Sequence, residues 1–414
     1  MKIGCFYGYG RCFCFFFVAR LAYFGQMLKS ICRAKFLLNL RRKTSHFTMK
    51  FSTPLSRSGF WAIFGLSTLL LNLVAHQYPE FVEKWYSRGL FQWVRRGFDW
   101  TTGQLPFPAF YLFWIGVMLF WIMMYRSRPR QVTWKPKLTY WFSRIAGFAG
   151  FLVGWFFWLW AFNYARIPLE TQMRLDVQPL DSTALWQELR SETRAVDSLR
   201  KTLVGDDTTA LNDQRLWPSH AEDTIREAVE KWLASEYFPV WGRVRGRFIY
   251  PEGTLFKFGA SGIYWPFIGE GNLEAGMHPL RKLPSMAHEM SHGYGFTDEG
   301  VCNFIAYVVC AQHSNAYIAY CARLDYWETV ARACLDSDPE RYLSQFKPFI
   351  PKGIVADEHA IRAQHRKFKE LAPAIRYEVY DSYLKAQGIE SGMLNYEEVL
   401  MLVSAWRKSQ HGNE

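Results

Sequence analysis

The chain lacks any pair of cysteines at the C-x-x-C spacing, and it lacks internal repeats and low-complexity tracts. A zinc site built from cysteine thiolates is therefore not expected. Of the eight cysteines, four lie in the first 32 residues, and the others are Cys302, Cys310, Cys321 and Cys334. These four are expected to be small buried thiols, although a compartment outside the cytoplasm would allow one disulfide.

The first 48 residues contain no Asp or Glu but nine Lys or Arg, so most of the net charge of +12 comes from this segment. The basic balance therefore does not indicate nucleic-acid binding, and no nucleic-acid partner is expected. The apolar run Cys12–Phe24 is short and interrupted by Arg20, and no small-residue cleavage site follows it. Because Met49 opens a plausible bacterial start, we treat residues 1–48 as a doubtful N-terminal extension and expect translation to begin at Met49.

Three long runs carry no Asp, Glu, Lys or Arg: Ser58–Gln77, Trp100–Tyr125 and Ile145–Ala165. Each reaches the roughly 20 residues that cross a bilayer, and Trp and Tyr lie near the ends as in interfacial belts. The runs predict three transmembrane helices at about 58–78, 104–125 and 145–165, within a membrane domain of residues 49–166. Buried core helices of a soluble protein are the less favoured interpretation.

The charges of the loops predict the orientation. Residues 126–144 hold six basic residues and no acid, whereas residues 78–99 hold four basic residues and three acids. The positive-inside rule places 126–144 in the cytoplasm, so the third span would lead outward. We expect a multi-pass protein of the cytoplasmic (inner) membrane with its C-terminal domain outside the cytoplasm. The opposite topology, with that domain inside, is the alternative.

Residues 167–414 resemble an ordinary globular domain in composition. Helical periodicity predicts helices over 170–202 and 219–236, at 283–292 and from about Asp298 to beyond Cys310. Alternation within Arg243–Trp265 predicts strands there, including one at residues 255–258. The expected fold class is an α-helical membrane region plus an α+β, mostly helical domain.

Residues 288–292 read His-Glu-Met-Ser-His, the H-E-x-x-H pattern. On a helix this spacing puts His288 and His292 on one face, where both can bind one Zn²⁺. Glu289 would then be the general base that takes a proton from a zinc-activated water. The sequence therefore predicts a zinc-dependent hydrolase with Zn²⁺ as its expected cofactor.

A catalytic zinc usually has three protein ligands, so a third must follow Gly293 and Gly295. Asp298 and Glu299 compete for this role. We favour Glu299, since it lies four residues before Asn303 on the next helix. Asn303 could then hydrogen-bond a ligand imidazole, while Asp298 would cap the helix.

Three stretches, SGIYWPFIGEGN (261–272), HEMSHGYGFTDEGVCNFIAY (288–307) and DSYLKAQG (381–388), resemble the bacterial membrane family called domain of unknown function 3810. The resemblance covers most of residues 55–408. It implies a zincin-like, gluzincin-type zinc metallopeptidase in which His288, His292 and Glu299 are ligands and Glu289 is the base. Many members have a second acid and Ala where this chain has Val301 and Cys302, so the metal set is expected to be intact and a role for the second acid is not expected here.

Peptide hydrolysis also needs a donor to the developing oxyanion. The sequence offers four candidates for oxyanion or substrate contacts: Tyr294, Tyr264, His313 and Arg323. Each has an alternative structural role in a core. The segment Thr254–Trp265 could be an edge that pairs an extended peptide, and Glu270 could lie at the cleft rim or in a solvated loop.

The leading hypothesis is a membrane-bound zinc metalloendopeptidase acting on a peptide or protein substrate, with the lipid bilayer as its other partner. The alternative from another class is a membrane-anchored sensor or scaffold with a structural zinc site, which would not need Glu289. A small transporter is a third interpretation, supported by little more than Asn72 and His76 within the first run.

Overall fold

The computed structural model describes residues 56–128, 133–371, 373 and 398–411. The suspected extension 1–48, the start at Met49 and the segment 381–388 lie outside these residues. The described chain is mostly helical and contains one small three-stranded sheet, which confirms the expected mostly helical α+β composition.

The described α-helices of ten or more residues are α1 (Arg57–Ala75), α2 (Phe91–Trp100), α3 (Phe110–Arg126), α4 (Trp134–Leu159), α5 (Ser182–Val204), α6 (Ala221–Ser235), α7 (Pro279–Gly293), α8 (Glu299–Ala311), α9 (Ala316–Ser337), α10 (Lys352–Arg366) and α11 (Glu398–His411). A turn of helix, Pro79–Phe81, and a π-helical stretch, Val82–Leu90, run into α2 without a break. The strands are β1 (Arg245–Ile249), β2 (Gly262–Trp265) and β3 (Glu270–Glu274).

Two helices of the described chain, α1 and α4, are long and apolar enough to cross a membrane. The prediction of three transmembrane helices is therefore wrong for the run Trp100–Tyr125. Pro106 and Pro108 interrupt this run, since proline does not continue a helix, and α3 begins only at Phe110. With 17 residues α3 is about 26 Å long, short of the roughly 30 Å hydrocarbon core of a bilayer.

Helices α1 and α4 pack closely through glycines. A Cβ added at Gly150 would lie 2.7 Å from Cα of Ala62, and one at Gly147 would lie 2.8 Å from Cα of Ser58. Small residues at such an interface let two helix backbones approach each other. Beside this pair, α3 stacks Phe120 on Phe148 of α4, with ring centroids 4.9 Å apart.

The sheet has the strand order β1-β3-β2. β3 pairs with β1 in parallel and with β2 in antiparallel orientation, so that Gly271 lies opposite Gly246 on one side and opposite Tyr264 on the other. The predicted strand around residues 244–250 is confirmed as β1. The strand predicted at 255–258 is wrong, because Phe256–Phe258 form a 3-10 turn, and β3 was not predicted.

Each strand contributes one glycine to the face that packs on α7. A Cβ at Gly246 would lie 2.8 Å from Cγ of Met286, and one at Gly271 would lie 2.7 Å from Cβ of Glu289. A Cβ at Gly262 would lie 2.9 Å from Cδ of Glu289. The sheet therefore lies directly on the helix that carries the H-E-x-x-H sequence.

Candidate metal centre

Helix α7 carries both histidines and is defined at each end by local interactions. It starts earlier than predicted, at Pro279, with Nδ1 of His278 accepting a hydrogen bond from the Leu280 amide at 3.4 Å. The helix ends at Gly293, and Gly295 has a φ of +94°, which favours glycine. This reversal brings the start of α8 back toward α7.

Three side chains converge where α7 meets α8. Nε2 of His288 lies 3.0 Å from Nε2 of His292 and 3.0 Å from Oε2 of Glu299. Nε2 of His292 lies 3.6 Å from Oε1 of Glu299. Ligands about 2.1 Å from a tetrahedral zinc lie about 3.4 Å from one another, so the three groups have the spacing of a metal-ligand set. All three are buried, and together they could hold a metal ion.

A second layer of contacts orients both imidazoles. Oδ1 of Asn303 lies 2.7 Å from Nδ1 of His288, and the carbonyl of Phe296 lies 2.8 Å from Nδ1 of His292. With Nδ1 donating in each ring, Nε2 is left as the metal-binding nitrogen. Partners of this kind are usual behind histidine ligands, so the arrangement fits a metal site.

The two acids that competed for the third position have separate contacts. Asp298 caps α8, since its Oδ1 accepts from the Val301 amide at 2.9 Å. Glu299, the first residue of α8, is the acid that joins the two histidines. The two neighbouring acids therefore have different roles: the carboxylate of Asp298 caps the helix, and the carboxylate of Glu299 belongs to the metal-ligand set.

The electrostatics favour an ionised Glu299. Burial raises the pKa of this carboxyl, but the imidazoles of His292 and His288 outweigh burial and leave the pKa well below its ordinary value. Burial lowers the pKa of His292, but Cys302 and Glu299 outweigh burial and raise it. The carboxylate form of Glu299 is the one that binds a metal cation.

Cys302 lies next to the cluster, with its Sγ 3.3 Å from Nδ1 of His292. Burial raises the pKa of this thiol to about 11, so it is protonated at neutral pH. Cys302, Cys310, Cys321 and Cys334 are all buried and free, and the optional disulfide is absent among these four.

Glu289 lies between α7 and the sheet. Its side chain is buried and fills the space that the missing side chains of Gly262 and Gly271 leave open. These two glycines belong to neighbouring strands, so the carboxylate lies against the backbone of β2 and β3.

Of the four candidates for oxyanion or substrate contacts, Tyr264 lies beside the metal-ligand set. It lies on β2, and its ring centroid is 5.4 Å from that of Trp160, which in turn is 5.9 Å from that of His292. Burial raises the pKa of the phenol, although Arg95 opposes this effect, so the hydroxyl stays protonated.

The other three candidates, Tyr294, His313 and Arg323, form hydrogen bonds with residues outside the metal-ligand set. The hydroxyl of Tyr294 donates to Glu230, and Nδ1 of His313 accepts from the Asn315 amide at 2.9 Å. Arg323 donates to Glu192 at 3.0 Å. Glu270 is likewise no solvated loop acid, because it is buried in β3 and its Oε2 accepts from the Ala109 amide at 2.9 Å.

Trp160 contributes to the site and was not identified from the sequence. It follows the last residue of α4, and its Nε1 donates to the main-chain carbonyl of His292 at 2.8 Å. Trp160 lies within the predicted span 145–165, but its hydrogen-bond partner is 132 residues away in sequence, so no local pattern pointed to this contact. The candidate metal centre therefore lies at the end of a candidate membrane helix.

Comparison with known proteins adds a family. The family model described as "Protein of unknown function (DUF3810)" matches residues 86–404. This match contains the metal-ligand set, the sheet and helix α4. No curated protein and no solved structure matches the chain.

Proposed function

The chain belongs to the DUF3810 family of proteins of unknown function, and we propose that it is a membrane-bound zinc metallopeptidase. The observation that carries the proposal is the convergence of His288, His292 and Glu299, with Glu289 on the same helix as the two histidines. Two imidazoles and one carboxylate are a ligand set of catalytic zinc sites, which keep a further position for substrate or water.

A zinc ion bound by this set would supply Lewis-acid activation of a water and of the scissile carbonyl. Glu289 would hold the proton that this water gives up and return it to the leaving amine. Tyr264, which is protonated and lies beside His292, would donate to the oxygen that gains negative charge. Asn303 and the main-chain carbonyl of Phe296 would keep the two imidazoles in place.

The zincin-like fold is part of the proposal. An H-E-x-x-H helix packed under a sheet, followed by a helix that supplies a glutamate, is the order of elements in such domains. β2 lies at the edge of the sheet within the described residues, and an extended peptide can pair with an edge strand.

We also propose that the catalytic domain lies outside the cytoplasm. Lys135 and Lys137 lie in the first turn of α4, whereas its last turn carries no basic residue. The positive-inside rule places the start of α4 in the cytoplasm and therefore its end on the other side.

A structural zinc site in a sensor or scaffold is the second candidate, and the burial of all three ligands and of Glu289 favours it. Closed sites with no accessible position are usual for structural zinc. The two candidates differ in what they require of Glu289, because a structural site does not need a general base.

The test compares the native protein with Glu289→Gln and His292→Ala, using metal analysis of the purified proteins and peptide N-termini in the native cell. A peptidase predicts that Glu289→Gln keeps zinc but loses specific N-termini, while His292→Ala loses both. Glu227→Gln, the same chemical change at an exposed position on α6, should alter neither. Unchanged N-termini in Glu289→Gln would exclude the peptidase, and the absence of zinc from the native protein would exclude both candidates.

A further inference from the structure

We propose that the segment Pro79–Trp100 lies along the membrane surface and inserts one face into the boundary between lipid headgroups and acyl chains. The partner is a bilayer with anionic headgroups. This inference does not depend on the proposed enzymatic activity, because it rests on the exposed side chains of this segment and on the helices that flank it.

The outer face of the segment is aromatic. Phe81, Trp85, Trp93 and Trp100 expose 64%, 59%, 62% and 85% of their surface, and Leu90 is exposed as well. Trp241 extends this face, since its ring packs edge-on against Trp93 at 5.8 Å. Exposed tryptophans at such density are typical of interfacial helices and are unusual on a surface that faces water.

The inner face is buried against the rest of the protein. Val82, Tyr86, Phe91 and Phe98 are buried there, and the hydroxyl of Tyr86 donates to the carbonyl of Phe157 in α4 at 3.0 Å. These contacts fix the orientation of the segment, so its aromatic outer face cannot turn toward the protein interior.

The charges of the segment suit anionic lipid. Lys84 lies over the ring of Trp85, and Arg96 lies over the rings of Trp93 and Trp241. Two of the three acids of the segment contact the rest of the protein: Glu83 is buried and pairs with Arg166 at 2.9 Å, and Asp99 accepts from the Arg243 amide at 2.8 Å. The third acid, Glu80 in the first turn, is exposed. Basic side chains beside aromatic rings at the surface attract anionic headgroups.

The flanking helices favour lipid over a protein partner. The candidate membrane span α1 ends at Ala75, four residues before Pro79, and the apolar helix α3 begins ten residues after Trp100. Both ends of the segment are thus tied to apolar helices. The segment Pro79–Trp100 itself has 22 residues and is about 33 Å long as a helix, which suits a course along the surface.

The same segment contacts the elements of the metal centre from its inner side. Nη1 of Arg95 donates to the carbonyl of Gly269 at 2.9 Å and to the hydroxyl of Tyr264 at 3.4 Å. A helix with its side chains is about 10 Å across, so the lipid face and these contacts lie about one helix diameter apart.

The test measures lipid exposure in vesicles of phosphatidylethanolamine and phosphatidylglycerol. The full chain, with Cys5, Cys12, Cys14 and Cys32 changed to Ser, carries a spin label at Trp85→Cys or Trp93→Cys. We expect faster relaxation by oxygen than by a water-soluble nickel complex at both positions. The control Ser337→Cys, at the exposed end of α9, should show the reverse.

Nickel access at Trp85→Cys and Trp93→Cys equal to that at Ser337→Cys would overturn the proposal. Exclusion of both reagents would also overturn it, since that result indicates a protein partner or a second copy. A second measurement needs no substitution at the aromatic positions: a lipid-soluble diazirine should label peptides from Pro79–Trp100 and leave Ser182–Val204 unlabelled. Labelling of neither segment would count against insertion.

Discussion

Oδ1 of Asn303 lies 2.7 Å from Nδ1 of His288, so a residue on α8 fixes which imidazole nitrogen of α7 faces Glu299. Removal of such an orienting partner commonly weakens metal binding by about 10- to 100-fold. We predict a loss of this size for Asn303→Ala, measured by competition with a chelator of known affinity.

The control Asn315→Ala removes the cap of α9, where Oδ1 accepts from the Tyr317 amide at 2.9 Å. It should lower stability and leave metal affinity unchanged; equal affinities for all three proteins would contradict the orienting role.

The adjacent acids Asp298 and Glu299 should respond differently to the same substitution. Glu299→Ala removes a metal-binding oxygen, so we expect the purified variant to contain no stoichiometric metal. Asp298→Ala removes a helix cap, which costs about 0.5–2 kcal/mol of stability, and should keep its metal. Elemental analysis would measure the metal content of both variants, and thermal unfolding would measure their stability. A metal-free Asp298→Ala variant would reverse the assignment of the third ligand.

Gly271 should not tolerate a side chain. Its Cβ would lie 2.7 Å from Cβ of Glu289, with β3 on one side and α7 on the other. Overpacking of this kind typically destabilises a protein by about 1–3 kcal/mol. We therefore predict that Gly271→Ala lowers the free energy of unfolding by about this amount. Gly116→Ala is the matched control, since nothing lies within 4 Å of that Cβ. A Gly271→Ala variant as stable as Gly116→Ala would contradict the close contact of sheet and helix.

Glu270 should make stability depend on pH. Burial raises the pKa of this carboxyl to about 7, and Arg247 opposes the effect only in part. The unfolded chain, with the ordinary value of 4.5, releases the proton first, so stability falls as the pH rises from about 4.5 to 7 and then levels off. The loss is at most about 3 kcal/mol.

Denaturant titrations between pH 4 and 8 would measure this effect. Glu270→Gln should have a flatter profile than the native protein, and the exposed Glu227→Gln should have the native profile. If Glu270→Gln retains the full slope, another group is responsible.

The part of the site that the sequence predicted is the part governed by helix geometry. His288 and His292 are four residues apart, as are Glu299 and Asn303, so each pair shares a helix face before any tertiary contact forms. One chain reversal at Gly293 and Gly295 then brings the two faces together. Short-range rules were sufficient for these four side chains.

The remainder depends on contacts that no local pattern contains. Trp160 reaches His292 across 132 residues, and Arg323 pairs with Glu192 across 131. β3 was not predicted, since glycine-containing segments such as Gly-Glu-Gly have low strand propensity, yet two neighbouring strands supply its hydrogen bonds. The second membrane span was overestimated because a run can be apolar and free of charge and still be interrupted as a helix, here at Pro106 and Pro108.

The position of Trp160 links the metal centre to the thickness of the bilayer. In the proposed topology α4, which ends one residue before Trp160, crosses the bilayer, and its tilt depends on the thickness of the hydrocarbon core. A thinner or thicker bilayer changes that tilt. Because Nε1 of Trp160 donates to the main-chain carbonyl of His292, we expect such a change to reach His292, and lipid chain length would then be a variable of the site itself.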